Sequence, residues 1–287
     1  MAHIPVMLRE SMELLDLRPD GVYLDATCGL GGHTGAIARR LTTGLVVASD
    51  RDAESLELAR QNTVDCVSRI RFFHGAFSSL DKALASAGVE RAGGLLADLG
   101  VSRYQLTTAE RGFSLMAEGP LDFRMDRSQS LTASDIVNYH GEEPLANLIF
   151  QLGEERRSRR IARAIVRARP IRSTTHLASV VEQAAPRTGR IHPATQTFMA
   201  LRLAVNGELE ELDALLELAP RLVAPAGRIV IITFMSLEDR KVKHAFQQLV
   251  RSKRALALSK HVIKPASDEV AENPPSRSAK LRAVEMI

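Results

Sequence analysis

Short apolar runs alternating with helical segments most constrain what this chain can fold into. Residues 22–25 follow the turn signal Pro19-Asp20-Gly21, and residues 45–49, 70–73 and 93–98 repeat the apolar run. Helical patterns fill the gaps, first through Ile37, Ala38 and Leu41, then over residues 53–64 and 78–87. A strand covered on both faces shows no polar alternation, and only a crossover segment can join two such strands in parallel. The pattern therefore predicts βαβ units in a doubly wound, Rossmann-like α/β sheet. The rhythm then breaks. Residues 103–190 carry polar turns and helical patterns, over 131–138, 142–152, 155–169 and 175–184, but no strong strand signal. It resumes after His192-Pro193 with one long helical stripe, Phe198, Leu201, Val205, Leu209, Leu212 and Leu216. A strand at 228–234, a helix at 238–249 and two last strand candidates at 255–263 and 281–286 follow. The expected organisation is a sheet domain in two parts, 1–102 and 191–287, interrupted by a helical insert over 103–190.

Composition narrows the function classes. With 287 residues, 45% hydrophobic and 25% charged, the chain is neither disordered nor collagen-like. Cys28 and Cys66 are the only cysteines and fit no metal-ligand spacing, so neither a metal site nor a disulfide scaffold is expected. No stretch approaches the length of a membrane span, and the first residues lack an apolar signal core. The expectation is a cytoplasmic protein with no membrane partner. Twelve aromatic residues and no Trp argue against a stacking platform for single-stranded nucleic acid.

The net charge of +4 permits an anionic partner without requiring one, and its distribution says more. Arg supplies 31 of the 38 basic residues. Residues 154–172 hold eight Arg against two Glu, and residues 238–264 hold eight basic residues against two acids. On a helix over 155–169, Arg156, Arg160, Arg163 and Arg167 share one face, with Ile161, Ala164, Ile165 and Ala168 opposite. Such a face suits an RNA phosphate backbone, an ordinary solvated surface, or pairing with Glu142, Glu143, Glu154 or Glu155.

The glycine loop is the first sign of a site. Gly29, Gly31, Gly32 and Gly35 follow a strand and open a helix, where glycine permits tight turning and close ligand approach. Their spacing misses the dinucleotide fingerprint by one residue, and no Gly-Lys-Ser marks a P-loop. Asp50 ends the next strand, 19 residues beyond Gly31, where a carboxylate can accept both hydroxyls of a ribose. The residues indicate an adenosine-containing ligand and leave a dinucleotide and a methyl donor both open. Asp25, just before the loop, favours the cationic donor. Asp98 ends the fourth strand, on the same rim of the sheet. The competing readings are a turn-rich strand exit with a solvated acid, and for Asp98 a helix cap or an Arg partner.

A resemblance then spans nearly the whole chain. The matching blocks include His3-Ile-Pro-Val-Met-Leu-Arg-Glu10, Asp25-Ala-Thr27, Gly31-Gly-His-Thr34 and Asp98-Leu-Gly-Val-Ser102. They continue with Arg111-Gly-Phe-Ser114, Gly119-Pro-Leu-Asp122, Arg124-Met-Asp126, Gly153-Glu-Glu-Arg156 and Ile161-Ala-Arg-Ala-Ile165. The last are His192-Pro-Ala-Thr195, Ser236-Leu-Glu-Asp-Arg240 and Arg277-Ser-Ala-Lys-Leu-Arg282. This ordered series resembles the ribosomal small-subunit (16S) rRNA cytidine-N4 methyltransferase family, RsmH or MraW. The resemblance implies a class I S-adenosylmethionine-dependent methyltransferase fold with a helical insert domain. It implies 16S rRNA as partner, in the small subunit or an assembly intermediate, and the exocyclic N4 of cytidine 1402 as target. Carried over by position, Gly31, Gly32, His33, Asp50, Phe77, Asp98 and Gln105 would contact the donor. For direct in-line transfer, Asp98, Ser102 or a carbonyl within residues 99–102 is the candidate to accept hydrogen bonds from the target amine. Arg103, Arg156, Arg160, Arg163, Arg167, Arg240 and Lys243 are the RNA-contact candidates.

Attack through cytosine C5 would need a cysteine nucleophile, and neither Cys28 nor Cys66 is placed for it. The Asp-Pro-Pro-Tyr motif common among amino methyltransferases is absent. Several residues depart from the family pattern. Met235 stands where His is usual, Arg103-Tyr104 replaces Ser and a variable residue, and Gln196 and Pro275 replace basic residues. Phe123 for Met is mild. These departures keep two alternatives in view: a different RNA cytidine as target, or an RNA-binding assembly factor that retains the donor pocket.

Overall fold

The computed structural model describes residues 5–187, 189 and 191–287. The chain forms two compact units, Met1–Gly100 with Glu210–Ile287, and Val101–Leu209. The first unit opens with α1 (Leu8–Leu15), β1 (Val22–Asp25), α2 (Gly32–Ala38), β2 (Leu45–Asp50), α3 (Ala53–Asn62), β3 (Ile70–His74), α4 (Leu80–Ser86) and β4 (Ala92–Asp98). The second unit is helical, with α5 (Arg103–Thr107), α6 (Ala133–Tyr139), α7 (Glu142–Gly153), α8 (Ser158–Arg167), α9 (Thr174–Ala184) and α10 (Thr195–Asn206). The chain returns to the sheet unit through α11 (Glu208–Leu222), β5 (Val223–Thr233), α12 (Ser236–Arg251), β6 (Ala255–Ala257), α13 (Ser267–Glu272) and β7 (Lys280–Met286).

Among the described residues, seven strands lie in the order β3-β2-β1-β4-β5-β7-β6. The first five are parallel, and β7 runs antiparallel between β5 and β6. Successive residues of a strand point to opposite faces, which explains the unbroken apolar runs. Leu24, Leu95, Ile229 and Ile231 pack on one face with Leu80, Leu84, Leu212, Val242 and Phe246. Tyr23, Leu96, Val230 and Ile232 pack on the other with Met12, Leu15, Ile37 and Leu56. Each large side chain so buried contributes about 1.5–3 kcal/mol relative to exposure. The chain crosses sides between β1 and β4, and an open α/β sheet binds its ligands at that switch point, beyond the carboxyl ends of the strands.

Three expectations need correction. The stripe from Phe198 to Leu216 is two helices, because Gly207 takes a left-handed φ of 56° and caps α10. The helical unit extends to Leu209 rather than ending at 190, since α10 packs on α7 and shares its core. The strand expected over 255–263 is three residues long, with Ile263 making an isolated bridge to Leu281.

The helical unit orders a long loop between α5 and α6. Arg111, fully buried, donates from Nη2 to the carbonyls of Arg124 and Met125 at 3.0 and 2.9 Å. The Asn206 carboxamide accepts the Met125 N–H and donates to the Phe123 carbonyl, both at 2.8 Å. Phe123 stacks obliquely on Phe113 and Phe198, with centroids 5.9 and 5.3 Å away. Gly112 is required here: at φ 76° a Cβ would lie 2.1 Å from the Pro120 carbonyl oxygen.

Candidate active site

The loop between β1 and α2 is held from beneath. Asp25 is fully buried, and its two carboxylate oxygens accept the Thr27 N–H at 3.1 Å and the Thr34 hydroxyl at 2.6 Å. It ties the end of β1 to the first turn of α2. The expectation that Asp25 faces a cationic ligand is therefore corrected: both oxygens serve the loop, and burial raises its pKa.

Asp50, at the end of β2, closes the loop from the side. One oxygen accepts the Gly29 N–H at 2.7 Å and the other the Asp52 N–H at 2.9 Å. A carboxylate oxygen has two lone pairs, so each can accept one more donor, as two ribose hydroxyls would require. Burial lifts the Asp50 pKa to about 6, with the two N–H groups opposing the shift and nearby acids adding to it. The Asp50 carbonyl accepts the Gly75 N–H at 2.9 Å, which draws the β3 exit against the end of β2. Phe77 follows in a short 3-10 turn, half-buried. The next residue, Ser78, is pinned by Glu211, which accepts from its N–H at 2.9 Å and its hydroxyl at 3.0 Å.

Gly31 caps α2 at φ 85°, and Gly32 and His33 form the first helical residues. His33 is buried, with Nε2 3.1 Å from the Val6 carbonyl oxygen. Its Nδ1 lies 3.7 Å from Oδ2 of Asp98. Asp98 is tethered by its N–H to the Thr27 hydroxyl at 2.6 Å. Its Oδ1 is buried without a hydrogen-bond partner. Burial, and then the neighbouring Asp25, Glu238 and Glu269, push the Asp98 carboxyl well above the usual range. Gly31, Gly32, His33, Asp50, Phe77 and Asp98 thus occupy the carboxyl ends of four neighbouring strands. An adenosyl group fits such a rim. A Cβ on Gly29 would meet nothing nearer than the Thr27 carbonyl at 3.9 Å, leaving the backbone approachable, and Asp98 Oδ1 lacks a donor that a ligand would supply.

The Ser236–Arg240 block serves structure in a way its pattern did not disclose. Glu238 is buried, and its Oε2 accepts the N–H groups of Phe234 and Met235, both at 3.1 Å. Asp239 accepts from Arg282 Nε at 2.7 Å, and Lys280 Nζ lies 3.5 Å from it, an arrangement that keeps Asp239 below the usual carboxylate range. Two of the family-like blocks are therefore the two halves of one clamp. Met235 takes part through its backbone N–H, which any residue but proline supplies. Arg240 and Lys243 are exposed on α12.

The other candidate residues belong to the helical unit. Ser102 caps α5: its hydroxyl accepts the Gln105 N–H at 3.2 Å, and Gln105 Oε1 accepts the Ser102 N–H at 2.9 Å. Arg103 is exposed at the first position of that helix. On and before α8, Arg156, Arg160, Arg163 and Arg167 are exposed while Ile161, Ala162 and Ile165 are buried. Arg163 reaches Glu142 at 3.2 Å, and the neighbouring Arg157 pairs with Glu155 at 3.0 Å.

Both cysteines are buried, and burial and Asp25 drive the Cys28 thiol well above its ordinary pKa. A thiol held protonated cannot open an attack on a ring carbon. Among the described residues, no cluster of His, Cys, Asp and Glu is arranged to hold a metal ion. Nor is any helix among them long and apolar enough to cross a membrane.

This sheet order, with a glycine loop after β1 and a carboxylate closing β2, defines a class I methyltransferase that uses S-adenosylmethionine. The sequence model of the MraW methylase family matches residues 1–287, and the chain belongs to that family. It is 63% identical over 284 residues to a protein of Solibacter usitatus named ribosomal RNA small subunit methyltransferase H, covering 99% of each. A protein of the same name from Koribacter versatilis is 46% identical over 294 residues, covering 98% of this chain and 93% of that one. The crystal structure of a proposed rRNA-methylase from Clostridium thermocellum shares the fold, with a TM-score of 0.50 at 12% identity over 100% of this chain and 98% of that one.

Proposed function

We propose that this chain is a cytoplasmic enzyme that transfers a methyl group from S-adenosylmethionine to N4 of cytidine 1402 in 16S ribosomal RNA. The observation that carries the reading is 63% identity across 99% of both chains with a protein named as a small-subunit rRNA methyltransferase. S-adenosylmethionine supplies the methyl group on a sulfonium, already activated for transfer. The chain's residues bind, orient and accept protons. Gly31, Gly32 and His33 line the donor's approach, Asp50 accepts hydrogen bonds from the ribose hydroxyls, Phe77 flanks the adenine and Asp98 Oδ1 accepts a hydrogen bond from the donor. Gln105, on the helical unit, is assigned to the same ligand by the family resemblance.

The cytosine amine is a weak nucleophile because its lone pair is delocalised into the ring. The site must hold N4 about 3 Å from the methyl carbon and accept hydrogen bonds from the amine as that lone pair is freed. Asp98, Ser102 or a carbonyl of residues 99–102 is assigned this work. The exposed Arg103, Arg156, Arg160, Arg163, Arg167, Arg240 and Lys243 are assigned to RNA phosphates, which need charge and reach but no base code. Small-subunit RNA or an assembly intermediate is the substrate, and the target base has to leave its stack to be reached. The test is digestion of 16S rRNA to nucleosides after incubation with methyl-labelled donor. Label in N4-methylcytidine supports the reading, and label in 5-methylcytidine contradicts it.

A further inference from the structure

His33 and Asp98 stand close enough to act on one another, and the chemistry around them decides who holds a proton. The Val6 carbonyl, 3.1 Å from His33 Nε2, can only accept, so Nε2 carries the hydrogen. In a neutral ring Nδ1 then presents its lone pair toward Asp98 Oδ2, 3.7 Å away. Two lone pairs do not attract. The contact becomes favourable only when one proton lies between them, on the carboxyl or on the ring.

Among the described residues, the groups that act on Asp98 are carboxyls from three other elements: Asp25 on β1, Glu238 on α12 and Glu269 on α13. The histidine faces it from α2. Asp98 Oδ1 is buried with no hydrogen-bond partner, a position no carboxylate keeps without cost. Asp25, Glu238 and Glu269 already accept hydrogen bonds from the chain, which leaves Asp98 as the acid of this four-carboxyl group open to a positive ligand. Before such a ligand arrives, the group's like charges are relieved by retaining a proton, as closely spaced carboxyls generally do.

We propose that Asp98 and His33 hold one proton between them and release it to solvent when a cationic adenosyl donor binds. His33 is a positioning residue here. Its Nε2–H is fixed by Val6, so its Nδ1 sets where the shared proton sits, and Val6 thereby takes part in the site. The balance is simple: one proton leaves the Asp98–His33 pair, passes to the buffer, and is replaced by the ligand's positive charge. The inference rests on the donor reading given above, and its test separates the two.

The experiment is calorimetric titration of the full chain with S-adenosylmethionine and, separately, S-adenosylhomocysteine, at pH 7.5 in two buffers of different ionisation enthalpy. Asp50, with its pKa near 6, is already ionised at that pH and adds little to the proton count. The expected result is net proton release with S-adenosylmethionine, abolished in Asp98→Asn and moved to a different pH in His33→Gln. Binding with the same heat in both buffers overturns the proposal and leaves the donor site standing. Proton release that persists in Asp98→Asn also overturns it. Binding of neither ligand sinks the donor reading itself. If Asp98→Asn binds too weakly to titrate, the pH profile of affinity in the parent and His33→Gln carries the test. The parent loses up to about tenfold affinity per pH unit below the pair's pKa, and an identical profile in His33→Gln removes the histidine from the account.

Discussion

One carboxylate oxygen of Asp50 accepts the Gly29 N–H at 2.7 Å, so the acid that ends β2 holds the glycine loop that follows β1. The two features, 21 residues apart, form one device. Asp50→Ala is expected to weaken donor binding through both the loop and the ribose contacts. A hydrogen bond to a charged group is worth about 1.5–3 kcal/mol, or roughly 10- to 150-fold in affinity. RNA affinity should change far less. Titration of parent and variant with each ligand is the check, and equal donor affinity would remove Asp50 from the pocket.

The raised pKa of Asp50 has a sign that differs from the usual carboxylate. The folded chain keeps this proton up to about pH 6, whereas the unfolded chain releases it near 3.8. The folded state thus binds more protons between those values, and Asp50's contribution to stability declines as pH rises through the window. Urea unfolding of the parent and Asp50→Asn at pH 4 and 7.5 isolates it. The parent should lose stability relative to the variant at the higher pH. A constant difference would mean the carboxyl titrates alike in both states.

Much of this was legible in local sequence. The first five strands and the glycine loop are marked by continuous apolar runs and by residues whose backbone demands are local. Other features were hidden for physical reasons. Pairing of β7 between β5 and β6 is a long-range choice that leaves no trace in the pattern of Leu281 to Met286. The break at Gly207 was masked because the apolar spacing of α10 continues in phase into α11. Asp25 carried the sign of a ligand contact and turned out to be an internal clasp, because Thr34 lies one helical turn into α2 and reaches back to it. The clamp of Asp239 on Arg282 joins residues 43 apart, a relation only the fold displays.

The exposed arginines of the helical unit should act on RNA and not on the donor. Arg160→Ala and Arg167→Ala are each expected to lower RNA affinity and to reduce the slope of log affinity against log salt by about 1. Arg163→Ala should cost less, since Glu142 already holds that guanidinium at 3.2 Å. RNA titrations at several salt concentrations measure this. An unchanged slope in all three variants would assign α8 to plain solvated surface.

Amine attack needs no thiol. Cys28→Ala with Cys66→Ala is expected to retain methyl transfer, at a stability cost of about 1 kcal/mol for each buried side chain. Product formation and urea unfolding, measured on the same preparation, separate catalysis from folding. Loss of transfer in a folded double variant would contradict direct attack by N4.

The central claim concerns one atom of one nucleotide. Small-subunit particles isolated without this methylation, incubated with the protein and methyl-labelled S-adenosylmethionine, can be digested and their 16S rRNA fragments mapped by mass spectrometry. The account predicts label on N4 of cytidine 1402. Label confined to another nucleotide, or binding of donor and RNA with no label at all, would contradict it.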